Sequence, residues 1–296
     1  MERSPRHISA SPASIDLLRK VPDAHKYSHG HALILSGPSG RGGAARLAAR
    51  GALRVGAGVV TVGCPPEAIP ENAARLDAVM LRGVADGVAL EEALADPRVN
   101  ALCIGPGLGV DARGKDLLVA ALGGRTEPRL SLVLDADALT ILSKAPDLFT
   151  ALHEGCVLTP HAGEFARLFP DIAEKLSRLA TKGPAYSKVD AAREAAARAG
   201  CVVLYKGPDT VIADPTGLCA INSAQYDRAA PWLATAGSGD VLAGFITGLL
   251  ARGFSPFDAA CTGAWLHLEA ALSFGPGLVA EDLPEELPKV FRGLGL

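Results

Sequence analysis

Short apolar runs alternate with helix-like stretches along most of the 296-residue chain. HALILS (31–36), GVVTVG (58–63), ALCIG (101–105), SLVLD (131–135), CVLT (156–159) and CVVLYK (201–206) are continuous and rich in Val, Ile and Leu. Strands buried on both faces read this way, because neither face alternates toward water. TVIA (210–213) and LCAI (218–221) flank DPTG. That turn-forming sequence predicts a hairpin and an antiparallel margin to the sheet.

Helices fill the intervals. Ser187 with Asp190 three residues on opens SKVDAAREAAARAG, which Gly200 closes, a capping pattern with a C-terminal glycine. Ser255 and Pro256 open another, as N-cap and first helical residue. In PWLATAGSGDVLAGFITGLL (231–250) a glycine-punctuated half gives way to an apolar one. A helix from about Ser238 to Arg252 would place Val241, Leu242, Phe245, Ile246, Leu249 and Leu250 on one broad face. The alternation predicts an α/β protein with a largely parallel sheet and helices on both faces. The first 20 residues, rich in Ser, Pro and Arg, are expected to form a flexible N-terminal tail ahead of one domain, 21–296. The stretch 171–186 is expected at the surface.

Composition narrows the partners. Hydrophobic residues make up 49 % of the chain, and 29 basic residues face 32 acidic ones for a net charge of −3. No basic stripe marks a nucleic-acid binder, and no apolar run reaches the ~18 residues of a membrane helix. The opening MERSPRHISASPAS lacks the apolar segment of a secretory signal, so a cytoplasmic protein is expected. Cys64, Cys103, Cys156, Cys201, Cys219 and Cys261 form no CxxC pair and read as small buried hydrophobes in a reducing compartment. His29 and His31 straddle a strand start with no third ligand near, so a metal clip is not expected there.

Five clusters follow predicted strand ends: GPSGRGG, GPGLG, DADAL, TPHAGE and KGPDT. Parallel strands would bring them to one edge, where α/β sheets bind ligands. GPSGRGGAAR has Gly43 and Ala44 where a Walker loop needs Lys and Ser or Thr, and GPGLGV lacks the third glycine of a dinucleotide fingerprint. Each reads either as a loop where backbone passes close to a ligand or as a structural turn, and taken singly the turn is the reading favoured. Asp135 and Asp137 could hold metal-bound water or cap a helix, and capping is expected of one of them. His161 and Glu164 share a helical face; ligand contact by His161 and water or Mg²⁺ contact by Glu164 stand beside simple capping. Lys206 could meet a phosphate or merely be solvated. Behind Gly237, Ser238 and Gly239, free N–H groups at a helix start make an anion site. Asp240 within that turn is either a general base beside a phosphate or a residue favoured by the helix dipole.

In this order, HGHALILSGPSGRGGAARLAARGALRVGAGVVTV, CIGPGLG, LVLDADAL, LTPHAGEFARLF, VVLYKGPDTVIADP and PWLATAGSGDVLAGFITGLLARG resemble the ADP/ATP-dependent NAD(P)H-hydrate dehydratases, a branch of the ribokinase-like superfamily. The resemblance implies a three-layer α/β/α sandwich. It implies that Ala44, Gly107, His161 and Asp240 contact hydrated NADH or NADPH, with Asp240 as base. Lys206, Gly207, Pro208, Asp209 and Thr210, with Gly237, Ser238 and Gly239, would hold ADP or ATP, and Glu164 would help organise Mg²⁺. The implied reaction phosphorylates the ring hydroxyl of the hydrate and eliminates phosphate, a metabolite repair. The family further implies a homo-oligomer, possible as a tetramer, and an epimerase as partner domain or separate protein; the chain is then either standalone or part of a bifunctional enzyme. GRGGAA and the long polar stretch NSAQYDRAAPWLATAGSGD depart from the family's usual form. A vitamin-precursor alcohol kinase of the same fold and a non-catalytic nucleotide sensor are the alternatives.

Overall fold

The computed structural model describes residues 4–9, 12–125, 128–179 and 184–296. Part of the expected tail (1–3, 10–11) and part of the 171–186 stretch (180–183) lie outside the described residues. The strands are β1 (Arg6–His7), β2 (His31–Leu35), β3 (Val59–Cys64), β4 (Met80–Gly83), β5 (Val99–Ile104), β6 (Ser131–Leu134), β7 (Cys156–Leu158), β8 (Val202–Tyr205), β9 (Asp209–Ala213) and β10 (Cys219–Ser223). They form one sheet in the order β1-β10-β9-β8-β7-β6-β5-β2-β3-β4. Only β9 opposes its neighbours: its pair with β10 is the hairpin that DPTG predicts, and it also runs antiparallel to β8.

Every apolar run of the sequence becomes a strand. The two strands it does not mark are at the margins. MLRG in β4 is short, partly exposed and carries Arg82, and β1 is two exposed residues pairing with β10. Edge strands with one solvated side need no continuous apolar run. Within the expected tail, Pro12–Leu18 is helical and Leu18 is buried in the core.

In chain order the helices are α1 (Pro12–Leu18), α2 (Gly43–Arg54), α3 (Ile69–Ala73), α4 (Gly87–Leu94), α5 (Ala112–Leu122), α6 (Asp137–Leu142) and α7 (Pro146–Thr150). They continue as α8 (Ala162–Leu168), α9 (Pro170–Ser177), α10 (Lys188–Ala199), α11 (Ser238–Ala251), α12 (Pro256–Phe274) and α13 (Asp282–Gly293). One face of the sheet packs on α2, α11, α12 and α13, and the other on α4, α5, α6, α8 and α10. Helix α10 carries the predicted box, with Ser187 and Asp190 each accepting from the other's backbone N–H and Gly200 left-handed at its end. Ser255 caps α12 through the Asp258 N–H.

Helix α11 departs from the amphipathic reading: every residue from Val241 to Ala251 is buried, not one face alone. It lies against the sheet with α2 and α12 around it, so no side of it reaches water. A helix apolar all round is a core helix, and its first turn is the only part left open to a ligand.

The chain runs outward from β2 through β3 to β4, then returns to place β5 on the opposite side of β2. That reversal makes a crevice between the loops after β2 and β5, where sheets of this kind bind ligands. The two loops touch there. A Cβ on Gly37 would fall 1.9 Å from the Gly107 carbonyl oxygen, and Gly107 itself has φ +65°. No other residue permits that approach and that backbone together.

Candidate active site at the carboxyl edge of the sheet

Lys206 follows β8 and is the organising charge. Its Nζ donates to Asp135 Oδ1 at 2.8 Å and stands 3.9 Å from Glu164 Oε2. The reading of this lysine as merely solvated does not hold, since it is largely buried between two carboxylates. Burial works to lower its pKa, but the charge and hydrogen bond of Asp135, with Glu164 and Asp240 beyond, raise it overall. It is a fixed cation at the strand ends.

His161 and Glu164 form a capping box at the start of α8. His161 Nδ1 accepts from the Gly163 N–H at 3.0 Å, and Glu164 Oε2 accepts from the His161 N–H at 2.8 Å. The Nδ1 acceptor role assigns a proton to Nε2 in the neutral ring, and Nε2 lies 3.5 Å from Glu164 Oε1. The exposed imidazole edge and the buried carboxylate are thereby held in one orientation. Capping and ligand contact are compatible for His161, whose side chain remains half exposed.

DADAL behaves otherwise than expected. Neither aspartate caps α6, whose N-cap is Ala136 with no side-chain cap bond. Asp135 is committed to Lys206, and Asp137 Oδ2 accepts from the Gly109 N–H at 2.8 Å. An interaction across the strand ends has displaced the local one. Asp137 thus ties the GPGLG loop to the same cluster.

Asp240 sits in the first turn of α11, partly buried. Burial pushes its pKa up to about 6; Asp135 and, more weakly, Asp137 add to this, while Lys206 opposes it. A helix start alone would be expected to lower it. The carboxylates Asp135, Glu164 and Asp240 act on a single lysine, and Asp137 adds negative charge beside Asp240; that imbalance favours binding a cation. Among the described residues no cluster of three or more His, Cys, Asp or Glu could hold a metal alone. Mg²⁺ keeps most of its waters and takes oxygens from phosphates, and such a water-wrapped ion suits these scattered carboxylates better than a closed cage would.

Beside this cluster opens a cavity of about 960 Å³. Of the predicted nucleotide-binding residues, Lys206, Gly207, Pro208, Thr210, Ser238 and Gly239 line it, together with His161. Asp209 instead accepts from the Gln225 amide. Gly237, left-handed at φ +87°, is packed so that a Cβ would meet Leu47 at 2.6 Å and Ala280 at 3.0 Å; it shapes the turn and is not part of the wall. Ala44 lies at the other end of the site, where a Cβ on Gly107 would come within 3.6 Å of its own.

Two supporting residues have no signature in the sequence. His267, midway along apolar α12, is buried and its Nε2 lies 2.9 Å from the Ser238 carbonyl oxygen and 3.2 Å from Ser238 Oγ. Burial lowers its pKa to about 4, so it serves as a neutral donor fixing the first turn of α11. Lys188, at the start of α10, donates to the carbonyls of Lys206 (3.0 Å) and Asp209 (2.6 Å). Its ammonium also lies 4.2 Å from the Tyr205 ring centroid. It holds the KGPD turn from beneath. A histidine in a core helix and a lysine in a first turn read as packing and solvation, so only the fold reveals either role.

Solved structures place the whole arrangement in a class. A ribokinase-like superfamily protein from Enterococcus faecalis superposes with a TM-score of 0.78 at 25 % identity, covering 97 % of this chain and 95 % of that one. The ADP/ATP-dependent NAD(P)H-hydrate dehydratase from Bacillus subtilis, co-crystallised with ATP and Mg²⁺, gives 0.73 at 26 %, covering 95 % and 96 %. The fold is ribokinase-like, with a glycine-rich turn and an aspartate at the start of a buried helix. Residues 32–289 match the family model of NAD(P)H-hydrate dehydratase, and the chain belongs to that family. The bifunctional NAD(P)H-hydrate repair enzyme of Moorella thermoacetica is 36 % identical over 304 residues, 98 % of this chain and 54 % of that protein. The corresponding enzyme of Salinibacter ruber is 38 % identical over 284 residues, 91 % and 49 %. The chain spans about half the length of these relatives. No helix among the described residues is long and apolar enough to cross a membrane.

Proposed function

We propose that this chain dehydrates hydrated NADH and NADPH at the expense of ADP or ATP, a repair of damaged cofactor. The observation that carries the reading is the placing of Asp240 at the open first turn of α11, electrostatically coupled to Lys206, whose side chain also lines the cavity, in a chain matched to the dehydratase family over 32–289. In this reading Asp240 removes the proton from the ring hydroxyl of the hydrate as that oxygen attacks the terminal phosphoryl group. The N–H groups of the Ser238–Gly239 turn and the Lys206 ammonium face the charge that develops on the transferred phosphoryl. Phosphate then leaves as the ring nitrogen donates its electron pair, and the resulting iminium releases a proton from the adjacent ring carbon to water, which restores the ring double bond. Hydroxide leaves poorly at neutral pH, and phosphorylation converts it into a better leaving group.

His161, Ala44 and Gly107 are assigned to the hydrated dinucleotide, and the Lys206–Thr210 turn to the nucleotide. Asp209 contributes there through its bond to Gln225, and Gly237 by shaping the turn. Glu164 and the neighbouring carboxylates would hold Mg²⁺ through water, and the ion would neutralise phosphate charge when bound. A cytoplasmic homo-oligomer working with an epimerase belongs to the same proposal. Incubating the protein with hydrated NADH and ADP or ATP and following NADH absorbance tests it. Return of NADH with release of phosphate supports the reading. Nucleotide consumption without NADH would point to a kinase.

A further inference from the structure

The cavity lining has two chemically distinct parts. Lys206 and Gly239 lie together, a Cβ on Gly239 falling 3.5 Å from the Lys206 ammonium, while the lining segment that includes Tyr226, Ala229, Ala230, Pro231 and Leu233 is largely apolar. Its volume of about 960 Å³ lies within the ~300–1,000 Å³ range of small-molecule sites. Tyr226 stands out in the apolar part for two reasons. Its backbone φ is +52°, and only Ala136 among the described non-glycine residues also has a positive φ. The residue is 91 % exposed, and among the described residues no hydrogen bond or ring contact engages its side chain.

A bulky residue leaves the ordinary backbone regions only when its surroundings compel it, and such residues gather at ligand sites. The compulsion is visible here. The Ala224 N–H donates to the Pro208 carbonyl at 2.7 Å, and the Gln225 amide donates to the Asp209 carboxylate. On the far side, Arg228 pairs with Glu269 of α12 at 2.5 Å, and the Ala229 N–H closes the turn on the Tyr226 carbonyl at 3.0 Å. The turn is therefore tied both to the Lys206–Thr210 loop and to α12, with an unpartnered aromatic ring at the cavity rim.

We propose that Tyr226 is a recognition residue for the nucleobase, stacking on the base of a nucleotide whose phosphates lie at the Lys206–Gly239 end. The inference rests on the nucleotide reading of this cavity given above. Tyr226 lines the cavity together with the apolar residues Ala229, Ala230 and Pro231, so a base resting on its ring would have apolar neighbours. Ring stacking on a base strengthens binding by roughly fivefold to a hundredfold, and because every base has a π-face it adds affinity without choosing among bases.

Calorimetric binding of ADP, ATP and inorganic tripolyphosphate to the wild type, Tyr226→Ala, Tyr226→Phe and Tyr226→Gly tests this. Tyr226→Ala and Tyr226→Gly are expected to weaken ADP and ATP about tenfold, Tyr226→Phe to retain most of the affinity, and tripolyphosphate to bind all four alike. Tyr226→Gly should also melt above Tyr226→Ala, since it alone relieves the left-handed backbone. Unchanged ADP and ATP affinity in Tyr226→Ala, with tight binding to the wild type, would overturn the inference and leave the proposed function standing. An equal loss of tripolyphosphate affinity would overturn it too, because the ring would then act through the loop. A wild type that binds no nucleotide would overturn both.

Discussion

Replacing Asp240 by Asn should stabilise the fold while removing turnover. The folded carboxyl titrates at about 6, against ~3.9 for an unperturbed aspartate. The difference of about 2 pH units corresponds to ~3 kcal/mol. Its sign is destabilising at neutral pH: between about 4 and 6 the folded state holds a proton that the unfolded chain has released, so stability falls as pH rises through that window. Asn is neutral and nearly isosteric, and it removes this cost. Asp240→Asn should therefore melt higher than the wild type at pH 7.5 by roughly 5–10 °C, with the gain shrinking toward zero near pH 4. Thermal melts at both pH values measure it. Loss of a general base should lower kcat by about 10²–10⁴-fold, read from the repair assay. Equal gains at both pH values would show that the carboxylate charge is not the cost. A near-normal kcat would show that Asp240 is no base.

Three further outcomes follow from the same geometry. The wild-type rate should fall as pH drops below about 6, where Asp240 takes up its proton, and Asp135→Asn should move that limb to lower pH because Asp135 raises the Asp240 pKa; a limb that stays in place in pH–rate profiles contradicts the coupling. Glu164→Gln should raise the Mg²⁺ concentration for half-maximal rate, while His161→Ala should instead raise KM for the hydrated dinucleotide; equal shifts in Mg²⁺ titrations would mean the roles are misassigned. Lys188→Met, which removes both hydrogen bonds that the Lys188 ammonium makes beneath the KGPD turn, should raise the nucleotide KM by on the order of tenfold with little change in kcat, as loss of a charge-assisted hydrogen bond implies; steady-state kinetics that show the reverse split would refute its supporting role.

The sequence was most legible where local chemistry decides the structure. Ser187 with Asp190, Ser255 before Pro256, and DPTG between two apolar runs each specify their element within a few residues, and each is found. It was least legible where a side chain answers to a distant partner. Asp135 and Asp137 look like caps until Lys206 and Gly109, remote in the chain, claim them. Lys206 looks solvated until Asp135 at one strand end and Glu164 in the first turn of α8 enclose it. The buried surroundings of Asp240 decide its proton affinity, and they come from other elements of the fold. Tyr226 is the extreme case, since nothing in QYDRA signals a left-handed tyrosine.

The contact between Gly37 and Gly107 bears on how this site can be changed. At Gly37 the two loops meet backbone to backbone, with the Gly107 carbonyl where a side chain would have to go, so the contact has little room to absorb a misfit. A loop transplanted alone from a relative would confront a partner shaped for its predecessor. The β2 and β5 loops are thus one heritable module despite lying some seventy positions apart, and redesign of substrate preference at this crevice should exchange them as a pair.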